Sequence, residues 1–127
     1  MSTEAVVMTT QDVANRFNEL SQTGQWQKIQ EELYADNCVS IEPAHASLMG
    51  MGNAEGMEAV RKKGEAFGAM VEEMHGGYCT PAVVGGNFFS VAMGMDCTLK
   101  GAGRMKMDEI AVYEVKDGKI IKEQFFF

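Results

Sequence analysis

Between Thr9 and Gly24 the apolar residues Val13, Phe17 and Leu20 are spaced by four and three, which puts them on one face of a helix. Thr9 or Thr10 can cap its start and Gly24 can stop it. Trp26, Ile29 and Leu33 repeat the spacing and Tyr34 widens the stripe, so a second helix is predicted across 25–35, ended by Asp36 and Asn37. Residues 38–43 predict a short strand that stops at Pro43, because proline cannot donate to a sheet ladder. Residues 44–52 read as a loop. From Asn53, a residue suited to capping, Met57, Val60, Phe67, Val71 and Met74 form one stripe of a long helix that Gly76 and Gly77 terminate. Gly64 and Gly68 inside it cost roughly 1 kcal/mol each against alanine, usually offset by close approach of a backbone or a ligand. Only strand patterns follow, at 78–84, 87–100, 104–115 and 119–127, separated by Gly85-Gly86-Asn87, Gly101-Ala102-Gly103 and the Asp117-Gly118 turn. Two helices, a strand, a helix and then four strands predict an α+β domain in which a curved sheet wraps over the helices.

Composition narrows this picture without naming a chemistry. A chain of 127 residues, 46% hydrophobic and 23% charged, suits a single domain spanning 1–127, with residues 1–8 ahead of the first cap expected to be flexible. A net charge of −7 argues against nucleic acid or an anionic membrane as partner, since both are bound through clustered lysine and arginine. Neither a charged-then-apolar leader nor a long apolar run stands in the sequence, so the expected location is cytoplasmic. Cys38, Cys79 and Cys97 are odd in number and lack metal-ligand spacing, which predicts buried reduced thiols. Two scattered histidines offer no metal cluster, and no phosphate-cradling motif is present, so no cofactor is expected.

The phrase Leu33-Tyr-Ala-Asp-Asn-Cys-Val-Ser-Ile-Glu-Pro43, the long helix after a glycine, and the closing run 105–127 resemble the SnoaL-like branch of the nuclear transport factor 2-like superfamily. The resemblance covers nearly the whole chain, and the closing strand pair is its more specific part. It implies a cone of three helices packed on a strongly bent, mixed or antiparallel sheet, with a pocket in the mouth and a homodimer through the sheet's outer face. Members include polyketide cyclases, ketosteroid isomerase, epoxide hydrolases and dehydratases, so the fold leaves the activity open. Against the ketosteroid isomerase pattern, Glu42 occupies the position of the general-base aspartate before proline. That enzyme's two oxyanion donors fall on or beside Phe17 and on Ala111, and neither residue can donate.

Alternation along 104–115 puts Met107, Glu109, Ala111 and Tyr113 on one face, with Asp108, Ile110 and Val112 on the other. A shift of one residue would instead turn Asp108 inward. The same alternation groups Cys38, Ser40 and Glu42. Two glutamates could therefore converge on an apolar cavity lined by Phe17, Trp26, Tyr34, Ser40, Phe67, Met107, Ala111 and Tyr113. There burial and mutual repulsion would raise the pKa of at least one of them. Pairing of Glu109 with Arg104, Lys106 or a backbone amide is the structural alternative, and for Glu42 it is a cap or hydrogen-bond acceptor for the loop after Pro43. His45 lies close enough to Glu42 to form an acid–base pair, or is simply a solvated loop histidine, while His75 at a helix end suits a structural cation. Asp96 is a third carboxylate candidate. Two functions follow as expectations: a cofactor-independent acid/base isomerase, cyclase, dehydratase or hydrolase acting on a small apolar ligand, or a non-catalytic dimeric module that binds or scaffolds such a ligand.

Overall fold

The computed structural model describes residues 7–49 and 51–127, without the side chains of 47–49; residues 1–6, part of the stretch expected to be flexible, lie outside the described residues. Helix α1 runs Thr10–Gln22 and α2 Trp26–Leu33. The Thr9 side chain accepts from the Asp12 amide while Asp12 accepts from the Thr9 amide, a capping box that fixes the first helix start. Strand β1, Tyr34–Ile41, follows α2 without a loop. Asp36 and Asn37 do not end the helix as expected: they sit exposed where the β1 ladder shifts register, a bulge that tolerates polar residues. The stretch read as loop, 44–52, contains a short 3-10 helix, Ala44–Met49, and the first residues of the stretch read as the long helix form β2, Ala54–Glu55, instead.

Helix α3 covers Met57–Met70 and is shorter than expected, because Val71–Cys79 forms strand β3 instead of further helical turns. Val71 and Met74 match helical spacing, yet the edge of the next long strand offers this segment a ladder, pairing Met74 with Cys97 and Gly77 with Met95. Tertiary pairing overrides a helix already weakened by two glycines. His75 consequently lies in a strand, beside Thr98, and not at a helix end. Strand β4, Val83–Gly85, is separated from β3 by Pro81, so the single strand read at 78–84 is two. Strands β5 (Phe88–Leu99), β6 (Gly103–Lys116) and β7 (Lys119–Phe126) complete the sheet, and Asp117 and Gly118, both at positive φ, form the β6–β7 turn.

Among the described residues the sheet has seven strands in the order β2-β1-β7-β6-β5-β3, with β4 also on β5. Only β1–β7 is parallel, so the sheet is mixed. It curls without closing, and the three helices pack on it. The core lies between, where Phe17 of α1 meets Phe89 and Tyr113 at ring distances of 5.3 and 4.8 Å. Cys38 and Cys97 are buried and Cys79 half-buried, all three as free thiols. No helix among the described residues is long and apolar enough to cross a membrane.

Candidate functional site

A cavity of about 240 Å³ opens between α2, α3 and the concave face of β5, β6 and β7. It continues into a wider groove of about 840 Å³ along α3 and β3, sharing Trp26, Gly64, Phe67, Met93, Met95, Met107 and Glu109. The inner wall is methionine and aromatic: Met93, Met95 and Met107 from the sheet, Phe67 from α3, Tyr34, Tyr113 and Phe125 deeper in. Gly64 and Gly68 serve the groove and not helix packing. A Cβ on Gly68 would meet nothing within 4 Å, and one on Gly64 would touch only the Gln30 amide nitrogen at 3.7 Å.

The charged groups of the cavity form one network and one outlier. Lys63 of α3 donates to Glu42 Oε1 at 2.9 Å and to Ser40 Oγ, with side-chain exposures of 16% for Lys63 and 7% for Glu42. Ser40 passes its own proton to Glu123 Oε2 at 2.6 Å, and Tyr34 donates its hydroxyl to Glu123 Oε1. Burial raises the pKa of Glu123, against the pull of these hydrogen bonds and of Lys63, and burial also holds the Tyr34 and Tyr113 phenols neutral. The outlier is Glu109. Its carboxyl has no hydrogen-bond partner among the described residues and stands half-buried on the methionine wall. Desolvation first, then the charges of Glu42 and Glu123, push its pKa up to about 7, with Lys63 opposing. The Tyr113 hydroxyl, four residues along the same face, likewise has no partner among the described residues.

Each expected site residue now has a place. Glu42, Glu109, Trp26, Tyr34, Phe67, Met107 and Tyr113 line the cavity. Phe17 and Ala111 do not: both are buried behind the lining, Phe17 edge-on to Trp26 at 6.0 Å and Ala111 packed in the hydrophobic core. Ser40 is fully buried as well, and acts on the cavity only through Lys63 and Glu123. His45 is exposed and packs its ring against Phe127 at 5.2 Å, on the 3-10 helix after Pro43, away from the lining. Asp96 is tied to Arg104 by two hydrogen bonds of 3.0 and 2.9 Å, which hold its pKa below the ordinary value. Asp108 faces out and accepts from the Tyr78 hydroxyl at 2.7 Å.

Lys63 and Glu123 were not singled out from the sequence, yet both carried a signal. Lys63 sits three residues after Val60 and four before Phe67, a cation inside an apolar stripe. Glu123 shares strand parity with Phe125 and pairs across the ladder with Ser40.

The family model of the SnoaL-like domain matches residues 8–127. The chain belongs to the SnoaL-like family. It is 34% identical to a Mesorhizobium loti protein assigned provisionally as a SnoaL-like polyketide cyclase and also labelled carbohydrate phosphatase; the match covers 94% of this chain and 100% of that one, with a TM-score of 0.87. A nuclear transport factor 2-like protein of unknown function from Burkholderia pseudomallei matches at 14% identity over 93% of this chain and 89% of its own, TM-score 0.74. A second provisional SnoaL-like polyketide cyclase, from Jannaschia, is also 14% identical over 99% and 90% of the two chains, TM-score 0.63. At such identities the last two speak for the fold alone. No curated protein matches the chain.

Proposed function

We propose that this SnoaL-like domain binds a small, largely apolar molecule in its cone cavity and that Glu109 exchanges a proton with it, as the acid or base of an isomerase, cyclase, dehydratase or hydrolase type of reaction. One observation carries the reading: the Glu109 carboxyl is unpartnered on an apolar wall, where desolvation and the neighbouring carboxylates push its pKa up to about 7, a range in which a group can give or take a proton at neutral pH. Glu42 fits the role of base less well, because Lys63 already holds its carboxylate. The Tyr113 hydroxyl supplies a second polar contact to the bound molecule. The test is calorimetric titration with small aromatic probes in two buffers of different ionisation enthalpy at pH 7. Binding to the wild type is expected to move a fraction of a proton, and binding to Glu109→Gln none. Saturable binding without buffer dependence would remove the proton-exchange role.

The non-catalytic binding reading has an observation of its own. Lys63, the cation in the cavity, is engaged by Glu42 and Ser40, and Phe17 and Ala111 cannot stabilise an enolate. We also propose that the chain forms a homodimer through the outer face of the sheet, where Ile110 and Phe126, ladder partners on β6 and β7, are 46% and 49% exposed.

A further inference from the structure

We infer that the cavity selects a lipophilic amine, its protonated nitrogen lodged against Glu109 and its apolar body along the methionine and aromatic wall. The inference rests on the reading of this cavity as a small-molecule site and adds the chemical class of what enters. Among the described residues the charges lining it are three carboxyls, Glu42, Glu109 and Glu123, against one ammonium, Lys63. Lys63 and Glu42 neutralise each other at 2.9 Å, and Glu123 takes both of its hydrogen bonds from protein hydroxyls. An anionic ligand would meet the residual negative field with no free cation among the described lining residues to receive it. A cationic one meets an unpaired carboxyl in a low-dielectric wall, where opposite charges attract strongly. That wall already tolerates a cation: the Lys63 ammonium lies 5.5 Å over the Phe125 ring. The Tyr113 hydroxyl accepts as readily as it donates, and so suits an N–H without excluding other ligands.

The titratable groups that share the cavity with Glu109 are Glu42 after β1, Lys63 on α3, Glu123 on β7, Tyr34 at the start of β1 and Tyr113 on its own strand; His75, Tyr78 and Cys79 of β3 line the adjoining groove, where His75 is bonded to Thr98 and Tyr78 to Asp108. Of these, Glu42 and Glu123 raise the cost of ionising Glu109 and Lys63 lowers it. An ammonium beside Glu109 adds to the Lys63 effect and favours the ionised carboxylate. A neutral carbonyl ligand would do the reverse, accepting a hydrogen bond from the protonated carboxyl. Proton movement on binding therefore distinguishes the two. An amine releases a proton from Glu109 and a ketone takes one up.

The experiment compares phenethylamine, phenylacetone and phenylacetate, three probes with a common aromatic body, by calorimetric titration of the full chain. Phenethylamine is expected to bind at least about tenfold tighter than either of the others at pH 8. Its affinity is expected to fall about tenfold at pH 6, following the ionised fraction of a group that titrates at about 7. At pH 7 it should release about half a proton, and Glu109→Gln should erase both the preference and the pH dependence. If that variant fails to fold, the wild-type pH profile decides alone. Phenylacetone binding as tightly as the amine with proton uptake, or phenylacetate binding as tightly, would overturn the amine and leave the cavity reading standing. No saturable binding of any of the three would overturn both.

Discussion

Glu109 stands half-buried on the methionine wall without a hydrogen-bond partner among the described residues, and desolvation there makes its carboxyl hold a proton more readily than in water. Its inward face followed from alternation with Tyr113 and Ala111, and the structure orients the strand the same way, with Asp108 outside on Tyr78. Lys63 was harder to see, because a lysine in a helix is usually a solvated end of a long side chain and only its neighbours Val60 and Phe67 mark the stripe. Its loss makes a clear prediction. Lys63→Met leaves Glu42 and Ser40 without their donor and should cost about 3 kcal/mol in denaturant unfolding, as removal of one partner of a partly buried ion pair does. Because Lys63 opposes the upward shift of Glu109, the same variant should raise the Glu109 midpoint above about 7. A second prediction concerns pH and stability. The folded-state pKa of Glu109 is raised from 4.5 to about 7, so the folded form binds the proton more tightly and stability falls as pH rises through that window. Glu109→Gln should flatten the slope and be more stable than wild type at pH 8, by about 1 kcal/mol once solvent screening of this half-exposed site is allowed for. Parallel melting curves at pH 5 and pH 8 read it; an unchanged slope in the variant would contradict it.

At the scale of elements, α3 shows where periodicity misleads. Phe67, Val71 and Met74 continue a helical stripe on paper, but a long β5 with an open edge captures the chain at Val71. Sequence pattern cannot register a partner more than twenty residues away. The same blindness merged β3 with β4 and hid β2, whereas the two N-terminal helices and the three long strands, whose patterns are local, were legible almost to their ends. The glycines of α3 make this scale testable. A methyl group on Gly68 meets nothing within 4 Å, so Gly68→Ala should stabilise the protein by roughly 0.5–1 kcal/mol through helix propensity. Gly94→Ala, by contrast, would drive its Cβ into the Tyr78 ring and against the Asp108 carboxylate, and should destabilise. Chemical denaturation of both variants checks the pair, and a Gly68→Ala protein no more stable than wild type would mean that the helix needs that glycine for its own packing.

In the whole molecule, the closing strand joins the cavity to the outside. Phe125 lines the pocket, Phe126 is exposed beside Ile110, and Phe127 holds His45, so the three phenylalanines serve three surfaces. Deleting them removes the ladder pairs to Ile110 and Ala111 and should lower stability by about 3 kcal/mol. If the proposed homodimer forms through this face, Phe126→Lys should keep the fold and shift sedimentation from dimer to monomer; a wild-type chain that sediments as a monomer at micromolar concentration would overturn that proposal. The fold was readable because its strands and helices are patterned and its family resemblance spans the chain. The cavity's charge balance was not, because it depends on which carboxyl a single lysine reaches. That balance is tested most directly by carbon NMR titration of the Glu109 side-chain carboxyl, assigned through Glu109→Gln. The expected midpoint is about 7, and a midpoint near the ordinary 4.5 would contradict the proton-exchanging role assigned to Glu109.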